Sequence, residues 1–294
     1  MGRTPAAGNT QRAGTFLTGS CPLIVGILNV TPDSFSDGGA FLDPEVAAEH
    51  AAAMLDAGAA IIDVGGESTR PGSDPVSQEE EIGRVVPVVE RILAARPETL
   101  ISIDTYRSET AAAALEAGAR LVNDVTALRG DPRMASVVAE TGYPVILMHM
   151  QGEPKTMQKE PQYTDVVREV RDFLALRAEH AVAAGVRPEN IIVDPGIGFG
   201  KKLEHNLALL RSLEAVVDLG FPVLVGASRK TFIGTITGVQ RASERVFGTV
   251  ATNVLAYEKG AALFRVHDVR ANREALAVAE AVRGGVGEER GNAR

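Results

Sequence analysis

Short apolar runs, each ending in a polar side chain, alternate along the chain with longer alanine-rich segments. One such run, Ile191 to Val193, ends in Asp194 and leads into Pro195 and closely spaced glycines. Because it is short, rich in β-branched residues and bounded by turn residues, a strand buried on both faces is favoured over a helix. The alternation therefore predicts buried strands separated by amphipathic helices.

A glycine stands between most of the predicted helices and the strand that follows. These glycines are Gly58, Gly118, Gly142, Gly185, Gly220 and Gly260. Glycine can adopt the left-handed conformation that ends a helix and turns the chain back towards the sheet. Helices between successive strands also force those strands to pair in parallel.

The apolar runs predict eight strands, in residues 23–28, 61–64, 100–104, 121–123, 145–149, 191–194, 223–226 and 263–267. Eight strand–helix units close a barrel, so we predict an α/β fold, a single-domain (β/α)8 TIM barrel over residues 22–284. An open doubly wound sheet has the same local pattern. It is less favoured because such sheets usually stop at about six strands and carry a G-x-G-x-x-G motif after the first one. Here Asn29 to Ser34 follow the first strand and lack that motif.

Composition limits the classes of function. The net charge of -8 argues against a nucleic-acid surface, which needs a basic stripe, and no run approaches the ~20 apolar residues of a membrane span. Cys21 is the single cysteine, which excludes an internal disulfide and a cysteine metal cage and favours a cytoplasmic location. Residues 1–21 and 285–294 are predicted to be a flexible N-terminal extension and a flexible C-terminal tail.

Polar residues at the predicted strand ends supply the candidate chemistry, because these ends meet at one face of a TIM barrel. They are Asn29, Asp63, Asp104, Asn123, His149, Asp194, residues 228–230, Arg265 and His267. Helix capping is the ordinary alternative, and it suits Asp63, Asp124, Asp131 and Asp268. Capping suits Lys230, Arg265 and His267 poorly, because cations are unfavourable beside helix N-termini unless an anion shares the site.

Asp104, Asn123, Asp194 and Lys230 predict a site for a flat heterocycle. A carboxylate can accept two parallel hydrogen bonds from a ring N–H and an adjacent exocyclic amine. These residues therefore favour a ring with that pair of donors.

Arg265 and His267 lie two residues apart on one predicted strand, so they face the same side and suit a phosphate or diphosphate. Asn29 can add an oxygen ligand for a Mg2+ that bridges a diphosphate. The connections at residues 29–43 and 65–76 are long, which is typical of mobile binding loops.

With these positions in place, the chain resembles the dihydropteroate synthases over nearly its whole length after residue 22. The motifs that carry the resemblance are Gly26–Gly39, Asp63–Gly72, Ser102–Thr105, Asn123–Asp124, Met148–Gly152, Asp194–Lys201, Ser228–Lys230 and Arg265–Asp268. The resemblance implies condensation of 6-hydroxymethyl-7,8-dihydropterin diphosphate with 4-aminobenzoate. It also implies a homodimer. Phe35 and Pro71 have the residue types of ordinary members of the family, so we expect sensitivity to sulfonamides.

The resemblance assigns residues to three parts of the site. The pterin is held by Asp104, Asn123, Asp194 and Lys230, with Met148 and Phe199 nearby; the diphosphate by Arg265, His267, Asn29 and Thr69, with Mg2+ at Asn29; the aminobenzoate by Phe35, Arg70, Pro71 and Ser228. The residues expected to be catalytic are Lys230, Asp104, Asp194, Arg265 and His267.

Two alternatives stay open at the level of sequence. A pterin-binding methyltransferase barrel has the same acids but no need for the Ser68–Gly72 loop or the Arg265–His267 pair. A catalytically silent pterin-binding paralogue is the non-enzymatic alternative, and the retention of Lys230, Arg265 and His267 weighs against it.

Overall fold

Eight strands alternate with helices in the computed structural model, which describes residues 21–31, 43–68, 75–153 and 155–284. The strands are β1 (Leu23–Asn29), β2 (Ile61–Gly65), β3 (Ile101–Asp104), β4 (Leu121–Asp124), β5 (Val145–Met148), β6 (Ile191–Asp194), β7 (Leu224–Val225) and β8 (Leu263–Val266). The helices are α1 (Pro44–Asp56), α2 (Gln78–Ala95), α3 (Ser108–Ala117), α4 (Met134–Thr141), α5 (Val166–Ala183), α6 (Leu203–Arg211), α7 (Glu214–Val217), α8 (Thr231–Thr237), α9 (Val246–Glu258) and α10 (Val269–Gly284). Short 3-10 turns occupy Pro188–Asn190 and Ala242–Glu244.

The strands pair in parallel in the order β6-β5-β4-β3-β2-β1-β8-β7. A parallel bridge between Val193 and Val223 joins the two ends of this sheet. The backbone N–H of Val193 also donates to the Pro222 carbonyl at 3.0 Å. The strand order confirms the predicted TIM barrel, and it excludes the doubly wound sheet, in which the strands do not return to the first one.

On β4, β6 and β8 the side chains that point into the barrel change from apolar to polar along the strand. The inner floor is an apolar cluster of Val25, Ile61, Leu121, Ile146, Ile192, Leu224 and Leu263. Side chains on one face of a strand recur every second residue. Two residues beyond Leu121, Ile192 and Leu263 come Asn123, Asp194 and Arg265. The polar residues therefore lie above a closed apolar floor, at the C-terminal face of the barrel.

The predicted helix-ending glycines all have positive φ, namely Gly58, Gly118, Gly142, Gly185, Gly220 and Gly260. Gly118 shows a second reason for glycine, since a Cβ there would lie 2.3 Å from Leu93 Cδ1 on the neighbouring helix. The prediction that these glycines turn the chain from helix to strand is confirmed.

The predictions for the chain ends and the first long loop fall mostly on residues 1–20, 32–42 and 285–294, which lie outside the described residues. Among the helices that the structure does describe, none combines the length and hydropathy needed to cross a membrane.

Candidate active site

Asp104, Asn123 and Asp194 lie at or near the C-terminal ends of β3, β4 and β6. All three are buried, and the strand register places Asp104 beside Asn123 and Asp194 beside Met148. The predicted heterocycle residues from these strands are therefore brought together at one end of the barrel.

Arg265 projects from β8 between two carboxylates. Its Nε lies 2.5 Å from Asp63 Oδ2 and its Nη2 lies 2.7 Å from Asp104 Oδ2. Burial raises the pKa of Asp104 to about 7; the Arg265 charge opposes this rise and the Asp63 charge adds to it. Asp63 also accepts a hydrogen bond from Asn123 Nδ2 at 3.1 Å. The sequence suggested that Asp63 caps a helix, which is wrong, because its position inside β2 points it into the barrel.

Buried acceptor atoms remain without a protein partner in this cluster. Within the described part of the chain, Asp63 Oδ1 and Asp104 Oδ1 have no hydrogen-bond partner. Buried carboxylate oxygens in proteins are normally hydrogen-bonded. A ligand with N–H donors, placed above the apolar floor, can supply the missing bond to Asp104.

Lys230 follows β7 and is the N-cap residue of α8. Its Nζ donates to the Ile197 carbonyl and stands 3.8 Å from the centroid of the Phe199 ring, a cation–π arrangement. Burial lowers the pKa of Lys230 to about 7, opposed mainly by the Asp194 carboxylate. The loop after β6 therefore holds the ammonium close to the candidate ring site.

Asp194 is oriented by the same loop. Its Oδ1 accepts a hydrogen bond from the Gly196 backbone N–H at 2.7 Å. A Cβ on Gly226, at the end of β7, would lie 3.8 Å from the other oxygen, Oδ2. Burial raises the pKa of Asp194, and the Gly196 N–H and the Lys230 charge act against that rise.

Apolar side chains form one wall of the site. Met148 packs in a cluster with Val125, Met150 and Met157, and Phe199 lies against this cluster. Methionine and aromatic side chains offer a polarizable surface to a flat ring. Met148 and Phe199, which the resemblance assigns to the pterin site, therefore lie in one apolar cluster.

His267 and Ser228 are hydrogen-bonded to each other between the ends of β7 and β8. Ser228 Oγ lies 2.9 Å from His267 Nδ1, and the His267 backbone N–H donates to the same Oγ at 3.1 Å. The resemblance assigns these residues to different substrates, and the structure puts the two assigned parts of the site in contact.

Arg229, between Ser228 and Lys230, has a φ of 58°, which is unusual for a residue other than glycine. Its guanidinium forms an ion pair with Asp268 at 2.6 Å. Asp268 therefore holds a strained turn at the site, a role that its expected function as a helix cap did not include. Neither the ion pair nor the positive φ has a local sequence signal.

Asn29 ends β1 and pairs in register with Gly65. A Cβ on Gly65 would lie 3.7 Å from both Asn29 Oδ1 and Asp104 Oδ2, so an amide oxygen and a carboxylate oxygen flank the glycine. Among the described residues, no group of three His, Cys, Asp or Glu side chains could hold a metal ion. Oxygen donors of this kind fit Mg2+, which takes few protein ligands and completes its shell with water and phosphate oxygens.

Phe35, Thr69, Arg70 and Pro71 lie outside the described residues. The second loop is anchored on both sides by Arg107. Its Nη2 lies 2.8 Å from Glu67 Oε2 and donates to the Val76 carbonyl at 2.8 Å, while Nη1 pairs with the buried Glu81 at 2.7 Å. No motif in the sequence marks Arg107, which directly precedes α3.

Comparison with known proteins places the whole barrel in one family. The model of the family described as pterin binding enzyme matches residues 25–267. The dihydropteroate synthase of Escherichia coli (strain K12) is 49% identical over 268 residues, covering 91% of this chain and 94% of the relative.

Solved structures agree with that match. The Xanthomonas albilineans dihydropteroate synthase with 4-aminobenzoic acid is 46% identical, with a TM-score of 0.84, and the match covers 90% of this chain and 93% of that one. The Thermus thermophilus dihydropteroate synthase in complex with 6HMPPP is also 46% identical, with a TM-score of 0.77 and coverage of 89% and 94%.

Proposed function

The chain belongs to the pterin-binding enzyme family and, within it, to the dihydropteroate synthases, and from this premise we propose how its own residues divide the reaction. The enzyme condenses (7,8-dihydropterin-6-yl)methyl diphosphate with 4-aminobenzoate, giving 7,8-dihydropteroate and diphosphate. The single observation that carries the assignment of residues is the buried Asp104 Oδ1 above the apolar floor, which has no hydrogen-bond partner among the described residues.

Asp104, Asn123, Asp194 and Lys230 bind the pterin edge in this proposal. Carboxylate oxygens accept the N–H groups of the ring and its amine, and the Asn123 amide can both donate and accept. Met148 and Phe199 cover the ring faces. The support is the convergence of these side chains from β3, β4, β5, β6 and the loops after β6 and β7.

Arg265 and His267 bind the diphosphate. Arg265 has five N–H donors, and its Nε and Nη2 each donate to one of the two carboxylates. The remaining N–H groups can donate to an anion. Asn29 would hold Mg2+, which supplies positive charge to the leaving diphosphate oxygens. Thr69 is assigned to the same group by the resemblance alone.

The chemistry follows from charge separation. Diphosphate leaves once its charge is neutralised, and the pterin ring delocalises the positive charge left on the methylene. The buried carboxylates Asp104 and Asp194 stabilise this cation, and Arg265, His267 and Lys230 stabilise the leaving anion. The amine of 4-aminobenzoate, which the resemblance assigns to Ser228, Phe35, Arg70 and Pro71, then attacks the methylene, and the proton that its nitrogen loses goes to the released diphosphate or to water. A sulfonamide competes for the position of 4-aminobenzoate.

Release of diphosphate from the pterin diphosphate, with and without 4-aminobenzoate and in the presence of Mg2+, tests this proposal. We expect diphosphate and 7,8-dihydropteroate in equal amounts when both substrates are present. Binding of the pterin with neither product would overturn the proposal and identify a silent pterin-binding protein. Release of diphosphate that Mg2+ does not affect would remove Asn29 from the metal site.

We also propose that the enzyme is a homodimer, formed through α8, α9 and α10. Phe247, Ala251 and Leu255 are exposed at four-residue spacing on one face of α9, and Phe247 is 85% exposed. Ile236 on α8 and Val282 on α10 are also exposed. Large apolar side chains exposed on neighbouring helices favour an interface, and a second copy of the chain is the partner the resemblance implies.

A cytoplasmic location belongs to the same proposal. Cys21 is exposed and forms no disulfide. An exposed cysteine in the reduced form is ordinary in a reducing compartment.

A further inference from the structure

Lys201 is a buried cation that the proposed reaction does not use. It is 3% exposed, and its Nζ donates to the carbonyls of Gly196 at 2.9 Å, Phe199 at 3.0 Å and His149 at 3.3 Å. It also lies 2.9 Å from His149 Nδ1. Burial, together with the Lys201 charge, lowers the pKa of His149 to about 2, so this imidazole is neutral and can accept. Lys201 therefore joins the loop after β6 to the end of β5.

The loop that Lys201 holds is the one that positions Lys230. The Ile197 carbonyl accepts from Lys230 Nζ, and the Phe199 ring lies beneath it. The backbone of Gly198 approaches the Lys230 stem so closely that a Cβ there would lie 2.6 Å from Lys230 Cδ. Lys201 binds the carbonyls of Gly196 and Phe199. The residues that contact Lys230 are therefore Phe199 itself and its neighbours in the loop, Ile197 and Gly198.

The same loop also orients Asp194. The Gly196 N–H donates to Asp194 Oδ1, while the Gly196 carbonyl accepts from Lys201. A single peptide segment therefore links the buried Lys201 to a carboxylate of the site. Burial lowers the pKa of Lys201 and so favours its neutral amine form. A neutral amine still has two N–H donors for the Gly196 and Phe199 carbonyls.

We propose that Lys201 is a positioning residue, whose hydrogen bonds fix the Gly196 and Phe199 carbonyls. The loop then holds the Ile197 carbonyl and the Phe199 ring against Lys230. It also holds Asp194 in the orientation that binds the pterin. The inference deepens the proposed function and rests on it. Lys201 touches neither substrate in this arrangement. Its effect reaches the pterin through the backbone of residues 196–199.

The test compares Lys201→Met with Lys202→Met, which makes the same change at the exposed neighbouring lysine. The dissociation constant for the pterin diphosphate, with Mg2+ and no aminobenzoate, is expected to rise up to roughly a hundredfold in Lys201→Met. It should stay at the wild-type value in Lys202→Met. The KM for 4-aminobenzoate is expected to change little in either variant.

Folding is separated from positioning by two further measurements. Circular dichroism and thermal unfolding, with binding measured well below the unfolding temperature, report whether the fold is kept. Lys201→Gln retains two N–H donors on a shorter side chain and should recover part of the affinity lost in Lys201→Met. If Lys201→Met fails to fold, the dissociation constants of Lys201→Gln and Lys202→Gln for the pterin diphosphate are compared instead.

A folded Lys201→Met with wild-type pterin affinity would overturn the inference and leave the proposed function standing. Equal rises in KM for 4-aminobenzoate and in the pterin constant would also overturn it, since they indicate a general loss of structure. Absence of pterin binding in the wild-type protein would overturn the proposed function, and this inference with it.

Discussion

Asp104 is attracted by the positive charge of Arg265 and repelled by the negative charge of Asp63. Its Oδ2 pairs with Arg265, which is shared with Asp63, and its Oδ1 is buried without a protein partner among the described residues. When both carboxylates are ionised, the cluster of two carboxylates and one guanidinium carries a net negative charge, and removing that charge from water is costly. A pterin N–H bound to Oδ1 would lower this cost. In the proposed site, binding of the substrate would therefore relieve an unfavourable charge that the free enzyme keeps.

The first prediction concerns the pH dependence of stability. The pKa of Asp104 is raised from 3.8 to about 7, chiefly by burial, so between these values the folded chain keeps a proton that the unfolded chain releases. The free energy of unfolding should then fall as pH rises from about 4 to about 7, by at most about 1.4 kcal/mol per pH unit, and this contribution should level off above that range. Asp104→Asn should lack it. Urea unfolding from pH 5 to 8 measures the difference, and parallel curves for the two proteins would contradict the prediction.

A second prediction concerns turnover. Lys230→Ala and Asp194→Ala should each lower kcat/KM by more than roughly a hundredfold, because each removes a charge placed against a developing charge. Lys202→Ala is the control, since Lys202 is exposed. Steady-state assays of dihydropteroate formation provide the measurement. Near-normal activity in either variant would remove that residue from the assigned site.

At the scale of elements, the connection from β6 to α6 depends on glycines. They adopt left-handed backbone conformations and allow close backbone packing that other residues do not. Gly196, Gly198 and Gly200 all have positive φ. A Cβ on Gly196 would lie 1.9 Å from the His149 carbonyl oxygen, and one on Gly200 would lie 2.3 Å from the Gln151 carbonyl oxygen. The loop can therefore pack against the end of β5 only because these side chains are absent.

Gly196→Ala should accordingly destabilise the protein more than the same change at a glycine with free space around it. Gly220 is the matched control, since its φ is +82° and a Cβ there meets nothing within 4 Å. We expect about 1 kcal/mol for Gly220→Ala from the left-handed conformation alone. For Gly196→Ala we expect about 3 kcal/mol or more, because the backbone must also shift. Urea unfolding of both variants measures this, and equal losses would contradict the packing argument.

At the scale of the whole molecule, the barrel has its chemistry at the C-terminal face and its apolar surface on the side formed by α8, α9 and α10. α9 packs against both α8 and α10, so these helices form one continuous side of the barrel. The loop from β7 that carries Ser228 and Lys230 leads into α8. A partner on this side would thus lie behind the loop without covering the site.

The proposed dimer makes a prediction at this scale. Phe247→Asp should shift the protein from dimer to monomer, because it places a charge on the apolar face of α9. Leu176→Asp is the matched control, since Leu176 is also a large exposed apolar residue, at 61%, but lies on α5. Sedimentation velocity at micromolar concentration distinguishes the two forms. A monomeric wild type, or a Phe247→Asp variant that stays dimeric, would overturn this interface.

The amino-acid sequence by itself determined the barrel and the positions of its site residues. Strand limits, helix-ending glycines and the polar residues at strand ends depend on short-range properties, namely the period of apolar residues and the backbone freedom of glycine. Asp104, Asn123 and Asp194 could be found for the same reason, since a strand's end can be seen locally. Motif order then identified the family, which the relatives confirmed.

Only the tertiary structure decided which charges meet. Asp63 lies 202 residues from Arg265 in sequence, and their pairing depends on the register between β2, β1 and β8 across the closed barrel. Lys201 and His149 meet over 52 residues for a similar reason, through the pairing of β5 with β6. Contacts of this kind depend on where distant strands are placed side by side, which no local pattern specifies. The buried partners of the site residues therefore became visible only in the folded chain.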